Sequence, residues 1–291
     1  MIALATRGSA LAQVQAGLAM TALRSKFPDE DFTALVVDSD GDLSPATVAP
    51  DIPGEGWFTS RLERALLSGQ VQGAIHSAKD LPTDLSPELL VAGFLPRADP
   101  RDALVTVGET TLAELPQGAR VGTSSPRRAA QLLALRPDLA MMTIRGNVDT
   151  RVRKVREAEY DACVIALAGL IRIDREGDGQ PLDPQRECTP APAQGAIAIQ
   201  ARVGTRFAEM AAMVDDQITR CCVEAERLVL TRMGGGCRLP LGTLAEPLGL
   251  DRARLIVAWA AEPGAAVRRI TEEATVDGLP ELAIAIAQQL R

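Results

Sequence analysis

The sequence predicts an α/β fold of mainly parallel sheets covered by helices, with a small α+β region at the C-terminal end. Three observations predict it. Short apolar runs alternate with helix-period segments from residue 2 to about residue 166. Several of these runs end in turns that carry a capping hydroxyl, as in Thr6-Arg7-Gly8-Ser9 and Ser124-Ser125-Pro126. Beyond residue 250 two apolar runs flank Glu262-Pro263-Gly264, the sign of an antiparallel pair, and a last helical stretch follows.

Residues 2–6 read as a short buried strand, turned by Arg7-Gly8, and Ser9 caps a helix running to about Lys26. Residues 32–37 form the next strand. The stretch 38–56 is aperiodic, rich in Asp, Pro and Gly, and longer than most connections, so it reads as a mobile lid or a disordered loop. An amphipathic helix follows over 57–67, with Phe58, Leu62, Ala65 and Leu66 on one face and Gly69 past its end. Strands are expected at 71–77 and 91–95, and Asp99-Pro100-Arg101-Asp102 reads as a crossing into a second domain. There the expected order is strands at 103–107 and 119–122, a helix from Pro126 to about Leu135, and a strand at 141–144. A helix over 148–158 and a strand at 161–166 complete that domain. The Pro- and Gly-rich segment 177–194 carries the chain back to a strand at 196–201. A helix over 218–233, strands at 255–260 and 267–271, and a helix at 279–290 complete the chain. No internal repeat is visible.

The length of 291 residues suits two or three domains, and 46% hydrophobic with 24% charged residues is the composition of an ordinary soluble globular protein. Aromatic residues, at 3%, are too few for a base-stacking surface, so no nucleic-acid partner is expected. No basic stretch leading into an apolar core opens the chain, and no run is long enough to span a bilayer. The expected location is therefore cytoplasmic, without a membrane partner. Five cysteines (163, 188, 221, 222 and 237) without CxxC spacing argue against a disulfide framework and a structural zinc site. His76 is the single histidine, so no metal centre is expected.

The net charge of −7 hides an asymmetry. Nine basic residues and two acidic ones lie between Arg120 and Arg156, leaving 22 basic and 36 acidic residues elsewhere. Only three residues of the chain are lysine, so nearly all of this positive charge is guanidinium, which grips carboxylate or phosphate with two parallel hydrogen bonds. Solvated helix faces and a pocket for a polyanion both explain such a run. The turns Thr6-Arg7-Gly8-Ser9, Ser124-Ser125-Pro126-Arg127-Arg128 and Arg145-Gly146-Asn147 place hydroxyls or arginines between a strand and the next helix. Ligands of open α/β sheets bind at such strand ends, and a helix N-terminus favours anions. Taken singly, each turn is a helix cap; together they point to a site for several anionic groups. Asp80, in Ser77-Ala78-Lys79-Asp80, reads as a turn residue or as a carboxylate facing that positive field. Cys237, after Gly234-Gly235-Gly236, reads as incidental to a helix C-cap or as a thiol presented on an open loop.

Along nearly its whole length the chain resembles the porphobilinogen deaminase family. The matching segments are 5–9, 54–63, 74–80, 97–102, 122–128, 145–147, 191–195 and 234–237, and their order and spacing make the signal specific. The resemblance implies two cleft domains resembling periplasmic binding proteins, at 1–97 plus 195–214 and at 98–194, and a C-terminal domain at 215–291. It implies a transferase that joins four porphobilinogen molecules head to tail into hydroxymethylbilane with loss of ammonia; the chain is expected to be a monomer. It also implies a dipyrromethane cofactor held by a thioether to Cys237. By motif position, Asp80 is the catalytic carboxylate. Lys79, Ser9, Thr123, Ser125, Arg127, Arg128 and Arg145 hold the cofactor, while Arg7, Ser9, Phe58, Arg145, Arg151 and Arg172 meet substrate. The chain departs from the family pattern in its acidic 38–56 loop, at Met233 and Arg238, and in a short C-terminal domain. The rival from another class is a non-catalytic anion-binding module of the same bilobal fold, which would need no thiol at Cys237.

Overall fold

A computed structural model describes residues 1–37, 60–235, 239–262 and 264–291. The first elements are β1 (Ile2–Thr6), α1 (Ala10–Lys26), β2 (Phe32–Val36), α2 (Ser60–Leu67), β3 (Gly73–Ser77) and β4 (Leu89–Phe94). Next come β5 (Asp102–Thr106), β6 (Arg120–Gly122), α3 (Pro126–Leu135), β7 (Ala140–Met142), α4 (Val148–Arg156), β8 (Ala162–Ala166), α5 (Leu167–Ile171) and β9 (Gln180–Pro181). The chain continues through β10 (Ile197–Arg202), α6 (Arg206–Ala212) and α7 (Gln217–Arg232). It closes with β11 (Leu241–Pro247), β12 (Arg252–Trp259), β13 (Arg268–Thr275) and α8 (Leu279–Leu290). These fall into two compact units, Met1–Arg97 with Ala196–Arg220, and Ala98–Gly195 with Cys221–Arg291.

The first unit is built on a five-stranded sheet in the order β2-β1-β3-β10-β4. β1 pairs in parallel with β2 and β3, because a helix returns the chain between α/β neighbours, whereas β10 enters from outside that run and pairs antiparallel with β3 and β4. α1 forms where Ser9, in extended backbone, accepts a hydrogen bond from the Ala12 N–H, a cap contributing about 1 kcal/mol. Ala12, Ala16, Ala19 and Leu23 then give it a buried stripe against the sheet. On α2, Leu62, Ala65 and Leu66 pack with Ala5, Val71 and Ala74. The lid-or-loop stretch and Phe58 lie outside the described residues.

The second unit repeats the plan. Its five-stranded sheet runs β7-β6-β8-β5-β9, with β6 parallel to β7 and β8, and β5 antiparallel to β8 and β9. The two sheets thus share a strand order that no sequence repeat announces, and each is mixed: parallel in its βαβαβ run, antiparallel where a strand enters from elsewhere. β7 lies one residue earlier and is shorter than the 141–144 pattern suggested. α4 stops at Arg156, two residues later in the chain than which Ala158 takes φ 56° and ends the helical turn.

The same unit contains a three-stranded antiparallel sheet, β11-β12-β13, whose hydrophobic core is its own. Cys222, Ala225 and Val229 of α7 and Leu279, Ala283, Ile286 and Leu290 of α8 pack on Leu241, Ala245, Leu255 and Val257. β11 was not foreseen, since Gly242 and Pro247 both disfavour a strand. Both residues are tolerated because β11 is an edge strand.

Candidate active site

In the first unit, the turns after β1 and β3 carry the predicted groups. Arg7 is half-buried, and Ser9 spends its oxygen on capping α1. After β3 the chain makes a single 3-10 turn over Ala78–Asp80. Ala78 is fully buried and its N–H donates to the Ala196 carbonyl at 3.0 Å, so the turn is pinned to the sheet while Lys79 and Asp80 remain half-buried. Ser77 is fixed from the side by Gln15 of α1, whose Nε2 donates to Ser77 Oγ at 2.8 Å. Among the described residues, the Asp80 carboxylate has no ion pair and accepts no hydrogen bond. A half-buried carboxylate left uncommitted on a rigid turn is available to act on a ligand.

His76, one strand position before Ser77, is buried and shares a 2.9 Å hydrogen bond with Gln200 Oε1. Gln200 Nε2 in turn donates to Glu63 Oε1 at 2.9 Å, which turns its oxygen toward the imidazole and makes His76 Nε2 the donor. Burial pushes the His76 pKa down to about 4 against the Gln200 hydrogen bond, and the Arg7 charge lowers it further. At neutral pH this imidazole is a neutral strut and not a proton carrier.

In the second unit, Ser125 caps α3 by accepting from the Arg128 N–H at 3.4 Å, with Pro126 at the first helical position. Thr123 Oγ1 accepts from the Ser125 N–H at 3.2 Å, and Ser124 Oγ donates to the Ile144 carbonyl at 2.8 Å. These bonds aim the next two side chains inward. Arg127 and Arg128 are only 5% and 7% exposed, and both meet Asp102, which is fully buried. Arg127 Nη1 donates to Asp102 Oδ2 at 2.6 Å and to the Thr189 carbonyl at 2.7 Å. Arg128 donates to Asp102 Oδ1 through Nε at 3.0 Å and Nη2 at 2.6 Å, and to the Val164 carbonyl through Nη1 at 2.9 Å. Gln194 Nε2 adds a 2.9 Å bond to Oδ1, and the Cys188 thiol a 3.3 Å bond to Oδ2. Burial alone would raise the Asp102 carboxyl, but the charges and hydrogen bonds of Arg127 and Arg128 hold it far below the carboxylate range. Burial, with Asp102 beside it, pushes Cys188 up to about 12, so it stays a thiol.

Two guanidinium groups against one carboxylate leave one surplus positive charge. The two arginines are not equivalent. The Nε–Nη2 edge of Arg128 is closed by Asp102. The same edge of Arg127 has no acceptor among the described residues. Arg151 is close enough to Arg128 that, after burial, the Arg128 charge is the next cause lowering its pKa, and its Nε donates to the Gly146 carbonyl at 2.8 Å. Arg145 is exposed beside Asn147, which caps α4 through a 2.9 Å bond from the Thr150 N–H. Arg172 donates from Nη2 to the Gly195 carbonyl at 2.6 Å, and burial lowers it to about 10, still a cation at neutral pH.

Asp102, Gln131, Cys188, Thr189 and Gln194 had no predicted role. Asp102 was noted only in the crossing segment, Cys188 only among the cysteines and Gln194 only in the matching segment 191–195, and nothing local in sequence pairs Asp102 with residues 25 and 26 positions later. Cys237 lies outside the described residues. Its approach is described: Gly234 and Gly235 take φ 102° and 68°, backbone that favours glycine, and among the described residues, chain neighbours aside, no atom lies within 4 Å of where a Gly234 Cβ would stand.

Fold and site together define an α/β protein that places arginines and hydroxyls at its strand ends. The family model described as "Porphobilinogen deaminase, dipyromethane cofactor binding domain" matches residues 2–209. The porphobilinogen deaminase of Roseiflexus sp. (strain RS-1) is 46% identical over 241 residues, covering 82% of this chain and 80% of the relative. That of Mycobacterium leprae (strain TN) is 42% identical over 300 residues, covering 100% and 94%. Among solved structures, the methionine binding protein MetQ aligns with a TM-score of 0.45 at 13% identity, covering 73% of this chain and 89% of that one. The chain belongs to the porphobilinogen deaminase family.

Proposed function

We propose that Asp80 is the catalytic carboxylate, that Cys237 tethers the cofactor, and that the arginines bind the carboxylates of a polypyrrole. The activity is that of a hydroxymethylbilane synthase, a transferase that joins four porphobilinogen molecules with release of ammonia on a covalently bound dipyrromethane. The family match over residues 2–209 carries this conclusion and sets aside the non-catalytic module.

The residues fit the cofactor. Dipyrromethane bears an acetate and a propionate on each ring, so it needs several cations and room beside its attachment point. Arg127 has a two-donor edge without an acceptor among the described residues, and a Gly234 Cβ would meet none of the described residues' atoms within 4 Å, its chain neighbours aside. Lys79, Ser9, Thr123, Ser125, Arg127, Arg128 and Arg145 would hold it; when bound, it supplies the carbon terminus to which the first substrate is joined. Arg7, Ser9, Phe58, Arg145, Arg151 and Arg172 would meet the acetate and propionate of incoming porphobilinogen. Asp80 would stabilise the positive charge that develops on the substrate pyrrole nitrogen as ammonia leaves, and its uncommitted carboxylate suits that task. Asp102 supports the arginines from within.

The separate core of the three-stranded sheet supports three working parts, 1–97 with 195–214, 98–194 and 215–291. The chain is further read as a cytoplasmic monomer; among the described residues no helix is long and apolar enough to cross a membrane. The test is intact mass combined with a porphobilinogen consumption assay. The purified chain should carry the mass of one dipyrromethane, and Cys237→Ser should lose both that mass and turnover. Active, well-folded protein of unmodified mass would sink the tether.

A further inference from the structure

The three-stranded sheet reaches the arginine pair through one hydrogen-bonded path, all of it within the second unit. Arg269, on β13, is half-buried. Its Nη1 donates to Gln131 Oε1 at 3.0 Å and to Thr189 Oγ1 at 2.9 Å, and its Nη2 donates to the Glu187 carbonyl at 3.2 Å. Gln131 lies on α3 one turn beyond Arg127 and Arg128, and it closes a ring with Thr189. The Thr189 N–H donates to Gln131 Oε1 at 2.8 Å, and Gln131 Nε2 donates to the Thr189 carbonyl at 3.0 Å. That carbonyl also accepts from Arg127 Nη1 at 2.7 Å.

Two strands of the small sheet therefore set where this oxygen stands. Gly242 of β11 backs it so closely that a Cβ there would lie 2.4 Å from the Thr189 oxygen, and the Thr243 N–H donates to the Pro190 carbonyl at 2.9 Å. Arg269 fixes the side chain of the same residue from β13. Other arginines of this sheet behave differently: Arg252 and Arg254 pair with Glu273 at the surface, and Arg268 donates to the last carbonyls of α8. Arg269 alone among these four spends its donors on the loop that orients Arg127.

We propose that Arg269 is a positioning residue for polycarboxylate binding, holding Thr189 so that its carbonyl keeps the open edge of Arg127 turned toward a ligand. This rests on the proposed role of Arg127, so the test needs a readout that does not depend on turnover. With Arg269 intact and in the Arg269→Leu and Arg269→Lys variants, KM and kcat for porphobilinogen would be measured on the holoenzyme, and calorimetric binding of mellitate, a benzene hexacarboxylate, on the Cys237→Ser chain, in which no tethered cofactor occupies Arg127. Loss of the Arg269 bonds should weaken mellitate binding and raise KM, each about five-fold, with kcat within about two-fold. Lysine, which retains the charge and one donor direction, should recover part of the loss. Should Arg269→Leu fail to fold, Arg269→Lys carries the test, with a rise of about two-fold expected. Mellitate affinity and KM equal to wild type in the folded variants, whatever their melting temperatures, would overturn the proposal by leaving Arg269 a purely structural strap. Mellitate affinity that falls with the Arg269 variants, in a protein whose wild type consumes no porphobilinogen, would instead refute the proposed activity and leave the positioning role standing.

Discussion

The two five-stranded sheets share one strand order and treat charge in opposite ways. At the end of β3, the first unit leaves the Asp80 carboxylate half-buried, with no partner among the described residues. In the second unit, Asp102 at the start of β5 is fully buried and saturated by Arg127, Arg128, Gln194 and Cys188. A buried charge persists only when paired, and pairing spends the very hydrogen bonds that a ligand would need. An uncommitted carboxylate costs little at partial exposure and keeps its lone pairs for the reaction. The same residue type therefore organises structure in one unit and is free for chemistry in the other.

Neutralising each aspartate separately should expose that division. On its proposed role of meeting the charge that develops during the reaction, Asp80→Asn should lower turnover by on the order of 10²–10³-fold. Its unfolding free energy should stay within about 0.5 kcal/mol of wild type, because among the described residues no bond depends on the carboxylate. Rates near wild type would remove Asp80 from the catalytic role. Asp102→Asn should do the reverse in kind: it strands two buried guanidinium groups and should cost roughly 3–5 kcal/mol in denaturant unfolding. A loss under about 1 kcal/mol would show that solvent or backbone already carries those charges, and the contrast between the units would fail.

What sequence could reveal follows the same contrast. Groups that sit beside their own helix caps were legible: Ser9, Ser125 and Asn147 each cap the helix they precede, with Arg7, Arg127, Arg128 and Arg145 next to them in the chain. The alternation of strands and helices was legible too, because periodicity is local. The pairing of Asp102 with α3, of Gln131 with Thr189, and of Arg269 with both was not, since each joins segments dozens of residues apart and only the tertiary fold brings them together. β11 hid behind Gly242, whose absent side chain makes way for Thr189. Antiparallel entry of β5 and β10 likewise left no mark in an apolar run that reads the same in either direction.

His76 offers a finer test, because burial without charge pairing gives the first unit its own pH signature. With a folded pKa of about 4 against an unfolded value of 6.5, His76 binds fewer protons folded than unfolded between those limits. Stability is then complete above about pH 6.5 and is lost as pH falls toward 4, by roughly 3 kcal/mol in total. Asp102 works in a separate window. Its folded pKa is depressed, so its contribution is intact above the ordinary carboxylate range and fades only at lower pH. Unfolding free energies measured between pH 4 and 7 should therefore slope upward with pH in wild type. His76→Gln, which keeps a donor for Gln200 and removes the titration, should flatten that slope. A difference between the two proteins that stays constant across this range would mean that the imidazole titrates alike folded and unfolded, and that its bond to Gln200 offsets the cost of burying its charge.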